Sequence, residues 1–209
     1  MSEQIKVQLP DGSVREVERG TKPIDIANSI SPRLAAAVVV ARVRPLNGAA
    51  PAETAEDEAK AAQSEESMYA GQEPAGERLV DLNAPLEQDV ALELLKENDP
   101  AALRVVRHSA AHVMATAILE LFPETKLGHG PATDNGFFYD VYRETPFTEA
   151  DLAAIEQRMH EVVKRDEPFT REEEARAKGL TNYSAKGEFM KVHFIERFTK
   201  PGETISLYR

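Results

Sequence analysis

Apolar and polar residues alternate through Ile5-Lys6-Val7-Gln8-Leu9, the period of a strand with one buried face. Pro10-Asp11-Gly12 is a turn and residues 13–18 read as the returning strand, so the pattern predicts an opening β-hairpin. A short helix is expected next, capped by Thr21 with Pro23 in its first turn. Ile24, Ile26, Ala27 and Ile30 face inward in that helix, and Ser31-Pro32 ends it. Residues 36–43 form a near-continuous valine-rich run, which suits a strand buried on both faces. Asn47-Gly48 then signals a hairpin. The return strand is delayed until residues 77–82, and a further strand is expected over 90–95.

The delay is a segment, 49–76, built of Ala, Glu, Gln, Ser and Pro with almost no large apolar side chains. Such a stretch buries too little surface to offset its ordering entropy, so it reads as an acidic, disordered insertion in a β-grasp hairpin. Its Ala and Glu content leaves a helix as the alternative.

Asp99-Pro100 opens a second region as an N-cap followed by proline at the first helical position. A helix is expected over about 101–121, with Leu103, Val106, Ala110, Val113, Ala117 and Leu121 as its core stripe. A hairpin follows, from Lys126 to Pro131 through Asp134-Asn135-Gly136 to Asp140. A second helix runs from a Thr148 cap to about Arg165, with Leu152, Ile155, Met159, Val162 and Val163 inward. Thr170 and Glu173 form a capping box for a third, and residues 204–209 alternate as a strand. The fold class is therefore α+β in two domains, 1–97 and 98–209.

Composition narrows this reading. The 209 residues are 42% hydrophobic and 29% charged, an ordinary globular balance. No apolar run approaches the roughly 20 residues that span a bilayer, and the start lacks signal character, so a soluble, cytoplasmic chain without membrane contact is expected. Zero cysteine excludes disulfides, thiolate zinc sites and a Cys nucleophile. The net charge of -11 argues against coating nucleic acid by bulk attraction, although residues 48–76 hold seven acids and one base and so account for -6 of it.

His108 and His112 carry the strongest chemical signal. Spaced i, i+4, they share one side of the predicted helix with Val105, Ser109, Thr116 and Leu119, a low-bulk polar face suited to lining a cleft. The competing reading is a pair of partly exposed helix histidines. Zinc is not expected, because Ser109 stands where the metalloprotease pattern has Glu and two imidazoles cannot complete a tetrahedral site. A third ligand would have to be Asp134, Asp140 or His193. Gly128 and Gly130 allow a polyanion or sugar to approach the backbone, or are plain turn residues. Phe137, Phe138 and Tyr139 read as alternating core, and Lys191, near His193, is either solvated or a phosphate- or water-orienting group.

The order of these signals adds to them. His108-Ser109-Ala110-Ala111-His112, then Phe122-Pro123, Lys126-Leu127-Gly128, Gly130-Pro131 and Asn135-Gly136-Phe137-Phe138-Tyr139-Asp140 resemble the second domain of threonyl-tRNA synthetases. The opening Val7-Gln8-Leu9-Pro10-Asp11-Gly12-Ser13 resembles their TGS domain, which certain GTPases and stringent-response enzymes share. The resemblance implies a ubiquitin-like β-grasp TGS domain followed by an α+β editing domain. It implies tRNA(Thr) and mischarged seryl-tRNA as partners. Serine lacks one methyl of threonine, a difference worth only about 1–3 kcal/mol, so hydrolytic proofreading is needed. By motif match His108, His112 and Lys191 are the catalytic residues, with Ser109, Gly128, Gly130, Phe137 and Tyr139 toward the substrate. The family's charging core, with its ATP, magnesium, zinc and homodimer contacts, is expected after Arg209, as is an Asp-, Cys- and His-bearing strand-loop. On that reading this chain needs no cofactor and deacylates feebly alone. A freestanding trans-acting deacylase and a non-catalytic RNA-binding module are the rivals.

Overall fold

The computed structural model describes residues 3–46, 76–133 and 135–208. Asn47-Gly48 and all of the 49–76 insertion except Gly76 therefore lie outside the described residues, as does Asp134. The chain divides into two compact units, one running through Val106 and the next starting at Arg107.

The first unit is a five-stranded mixed sheet in the order β2-β1-β5-β3-β4. Its strands are β1 (Gln4–Gln8), β2 (Val14–Glu18), β3 (Val38–Pro45), β4 (Arg78–Val80) and β5 (Val90–Lys96). The alternation that marks β1 in the sequence is realised directly: Ile5 and Val7 point into the core and Gln4 and Lys6 into water. Gly12 takes φ 83° in the β1–β2 turn, where the Asp11 carboxylate accepts from the Ser13 amide and hydroxyl. β1 then runs parallel to β5, and β5 antiparallel to β3, closing a β-grasp sheet. Its main core joins Ile5, Val7, Ile26, Ala41, Val43, Leu86, Val90 and Leu92. Val40, on the opposite side of β3 from Ala41, packs with Leu95 and Ala102 instead, so β3 is buried on both faces as its valine run implies. Each such valine or leucine contributes roughly 1.5–3 kcal/mol by leaving water.

Helix α1 (Pro23–Ile30) buries Pro23, Ile26 and Ala27. Two details differ from the sequence reading. The Thr21 hydroxyl donates to the Glu18 carbonyl, so Lys22 becomes the N-cap residue and its amide donates to Asp25. Ile30, the last residue of the helix, is exposed. Ser31 both closes α1 and caps the short α2 (Pro32–Ala35) by accepting from Leu34.

α3 (Pro100–Leu121) is capped by Asp99, whose carboxylate accepts from the Ala101 amide. Arg42 on β3 pairs with Glu93 at 2.7 Å and reaches Asp99 at 3.8 Å, tying the cap to the sheet. The expected stripe of α3 holds only in part: Ala117 is buried and Leu121 packs against the same cluster. Leu103 and Val106 are exposed, whereas Ala102, Ala111, Ala115, Ala117 and Ile118 are buried. Alanine, which lets neighbouring elements approach closely, supplies four of these five buried positions.

In the second unit, β6 (Lys126–Leu127) pairs with β9 (Val141–Tyr142), and β7 (Ala132–Thr133) with β8 (Gly136–Phe137). Hydrogen bonds from Gly128 to Asp140 and from Asp140 to His129 join the two pairs into one irregular hairpin. α4 (Glu149–Arg165) starts at a Thr148–Asp151 capping box and ends at Asp166 in the left-handed conformation. Ile155 is buried and Met159 packs against the same cluster, but Leu152 and Val163 are exposed, contrary to expectation. The predicted helix from Thr170 is also corrected. Residues Arg171–Ala175 form β10, antiparallel to β11 (Thr204–Tyr208), and ladder pairing overrides the helical preference of three glutamates. α5 (Arg176–Ala185) and α6 (Phe189–Phe198) lie between these strands.

Candidate functional site

α3 projects His108 and His112 from one side, one turn apart. Their Nε2 atoms are 3.1 Å from each other and the rings meet edge to face, centroids 4.6 Å apart. Because Ala111 and Ala115 lie on this side of the helix, the imidazoles sit at the margin of a close-packed surface and are half-buried. Burial pushes His112 down to about 4, and the charges of His108 and Lys191 add to the effect. His112 is thus a neutral imidazole at pH 7.

Lys191 comes from α6. Its Nζ donates to the Gly128 carbonyl at 3.1 Å and lies 5.9 Å from the centre of the Tyr139 ring. Burial lowers the Lys191 pKa, an effect opposed by the Glu188 carboxylate. Glu188 is itself held by Lys126 at 2.9 Å. Burial likewise raises the Tyr139 phenol, helped by Tyr183.

The two glycines have a steric reason to be glycine. A Cβ on Gly128 would stand 2.6 Å from Met190 Cε and 3.0 Å from the Asp140 carbonyl oxygen, and one on Gly130 would run into the Tyr139 ring. They let the hairpin backbone come against α6 and the aromatic ring, which places the Gly128 carbonyl under Lys191.

The structure therefore groups His108, His112, Lys191, Gly128, Gly130 and Tyr139. Ser109 is half-buried beside the pair on α3, and Phe137 is half-buried in β8, opposite Ala132. Phe169 is an addition that sequence reasoning missed: its ring lies 5.8 Å from His112, on the stretch joining α4 to β10. Nothing in Glu167-Pro168-Phe169-Thr170 signals that contact. Among the described residues, no three His, Cys, Asp or Glu side chains converge as metal ligands. None of the described helices is long and apolar enough to cross a membrane.

Residues 5–96 match the family described as the TGS domain, and this part of the chain is a TGS domain. Over its whole length the chain is homologous to threonine-tRNA ligases. It is 60% identical over 210 residues to that of Acidobacterium capsulatum, covering 100% of this chain and 31% of the relative. It is 36% identical to that of Hyphomonas neptunium, covering 98% of this chain and 26% of the relative. The ligase of Rickettsia akari is 38% identical, with 98% and 27% covered. The chain thus spans about a third or less of the length of the curated relatives it matches.

Proposed function

We propose that this chain is the amino-terminal, proofreading part of a threonine-tRNA ligase, and that its second unit hydrolyses the ester of serine mischarged onto tRNA(Thr). The observation that carries the reading is the imidazole pair at 3.1 Å, in which His112 is neutral at pH 7, with the half-buried Lys191 near enough for its charge to depress the His112 pKa. In a neutral pair one Nε2 donates to the other. The basic nitrogen is then Nδ1 of the donating ring, a group able to take a proton from attacking water. Water adds to the ester carbonyl carbon, its proton passes to imidazole, and Lys191 stabilises the negative oxygen that forms. Collapse breaks the bond to the ribose oxygen, which takes the proton back and leaves as hydroxyl. Ligation of threonine to tRNA with ATP, and the magnesium and zinc that serve it, belong on this reading to the rest of the longer protein. The same holds for homodimer contacts, in a cytoplasmic enzyme.

The decisive experiment measures serine release from seryl-tRNA(Thr) by the protein as its gene encodes it. His108→Ala and His112→Ala should each lower the rate about 10²- to 10⁴-fold, the usual contribution of a general base. Full activity in both variants would remove the imidazole pair from the mechanism.

A further inference from the structure

Two charged residues stand behind Lys191 without belonging to the group described above. Glu188 is the N-cap residue of α6, yet its side chain makes no hydrogen bond to the start of that helix. It turns instead to Lys126 on β6, whose Nζ lies 2.9 Å from its Oε1, and the two side chains are only 24% and 25% exposed. Lys191 stands three residues further along, so its side chain leaves the helix near Glu188. Its Nζ nevertheless donates to the Gly128 carbonyl at 3.1 Å. The hairpin and α6 are therefore fastened twice: residue 126 reaches 188, and residue 191 reaches back to 128. The groups around the Lys191 ammonium come from three elements. The hairpin supplies the Gly128 carbonyl and the Tyr139 ring at 5.9 Å, and α3 supplies His112, which feels the lysine charge. On α6 the Glu188 carboxylate opposes the loss of charge that burial favours.

We propose that Lys126 and Glu188 are positioning residues for Lys191: Glu188 keeps the ammonium charged in a half-buried setting, and Lys126 holds Glu188 back so that the ammonium stays on the Gly128 carbonyl. A carboxylate near an ammonium has two opposite effects. It favours the charged form. If the two meet, it also captures the ammonium, which is then no longer aimed at anything else. Lys126 separates these effects by engaging the Glu188 carboxylate itself. Only the use of the Lys191 charge in hydrolysis rests on the proofreading reading; the arrangement of charges stands without it.

The test titrates Lys191 directly, by NMR of the full chain carrying carbon-13-labelled lysine, with the Lys191 signal assigned from its loss in Lys191→Arg. Glu188→Gln and Lys126→Met break the same ion pair, yet they should shift the titration in opposite directions. The midpoint falls in Glu188→Gln, where the supporting charge is gone. It rises in Lys126→Met, where Glu188 is released onto Lys191. Lys126→Arg keeps the pair and should leave the midpoint in place. Far-UV circular dichroism checks that each variant is folded. A role in packing alone would move Glu188→Gln and Lys126→Met alike, so shifts of the same sign, or no shift in either one, would overturn the proposal. Release of serine from seryl-tRNA(Thr) supplies the second readout. Losing a whole donor to a developing negative charge costs about 10²- to 10³-fold. A donor that is only discharged or drawn aside should cost about tenfold in kcat, with KM nearly unchanged, in both variants. Unimpaired kcat in both, in a protein whose activity requires His108 and His112, would overturn the positioning role alone. Titrations that shift apart in a protein that releases no serine would instead overturn the proofreading reading and leave this charge arrangement standing.

Discussion

The two units use apolar residues differently. The TGS unit builds its strands from five to eight residues, apart from the short β4, and fills its core with valine, isoleucine and leucine. Four of the six described strands of the second unit have only two residues each, and the most buried positions of α3 there are three alanines and one isoleucine within 111–118. The first arrangement derives stability from buried area. The second trades area for close approach, and close approach is what brings a lysine, two imidazoles and a phenol to one place. Stability in one unit therefore depends on large side chains, and function in the other on missing ones.

The strongest test of that contrast is Leu92→Ala, which removes the largest fully buried side chain of the sheet. Loss of about 2–5 kcal/mol is expected from urea unfolding followed by circular dichroism. A loss below about 1 kcal/mol would mean that the TGS core does not depend on buried bulk. The complementary change in the second unit adds atoms. Gly130→Ala should displace the Tyr139 ring and cost about 1–3 kcal/mol as overpacking. Deacylation should fall more than tenfold, since a shift of about 1 Å at a site costs roughly a hundredfold in rate. A fully active, fully stable Gly130→Ala protein would contradict the close-approach account.

A third test uses pH. His112 titrates near 6.5 when unfolded and at about 4 when folded, so below pH 6.5 the unfolded chain binds the extra proton. Stability from neutral His112 is therefore complete above about pH 6.5, is lost as pH falls toward 4, and does not change further below that. Carboxylates such as Glu124 and Asp151, held low by Arg143 and Thr148 respectively, lose stability in the same direction. They do so equally in His112→Gln, so the difference between wild type and this variant isolates the histidine. A flat difference from pH 7 to pH 4 would show that His112 is not desolvated. The smallest expected effect is at the start of α4. Thr148→Ala removes the cap hydroxyl and should cost about 1 kcal/mol, with no change in deacylation rate per folded molecule.

The same contrast explains what could be read in advance. All five TGS strands stand out in the sequence because period-two alternation and valine runs report burial directly. The Thr148 cap and the Asp99-Pro100 start are equally visible, since their chemistry is local. The burial along α3 was only partly visible: Ala117 and Leu121 are inward as their spacing suggests, but Ala111 and Ala115 bury without apolar bulk while Leu103 and Val106 are exposed. β10 was hidden for a different reason: its Arg-Glu-Glu-Glu-Ala stretch becomes a strand only through its pairing with β11, some thirty residues on. His108, His112 and Lys191 were legible as reactive types. Their convergence, and the place of Phe169 against His112, depend on packing that no single segment encodes.

The fit of Gly130 beneath Tyr139 constrains the order in which this protein can change. A side chain at position 130 becomes tolerable only after the ring at 139 has shrunk, whereas the ring may shrink first while the glycine stays. Accumulated substitutions must therefore pass through a small residue at 139 before anything larger enters at 130. Tyr139→Ala should make Gly130→Ala nearly silent, and the reverse order meets a barrier. The pair fixes the order of change in both directions: a lineage that loses the ring gains freedom at the glycine, and regaining the ring then requires giving that freedom up.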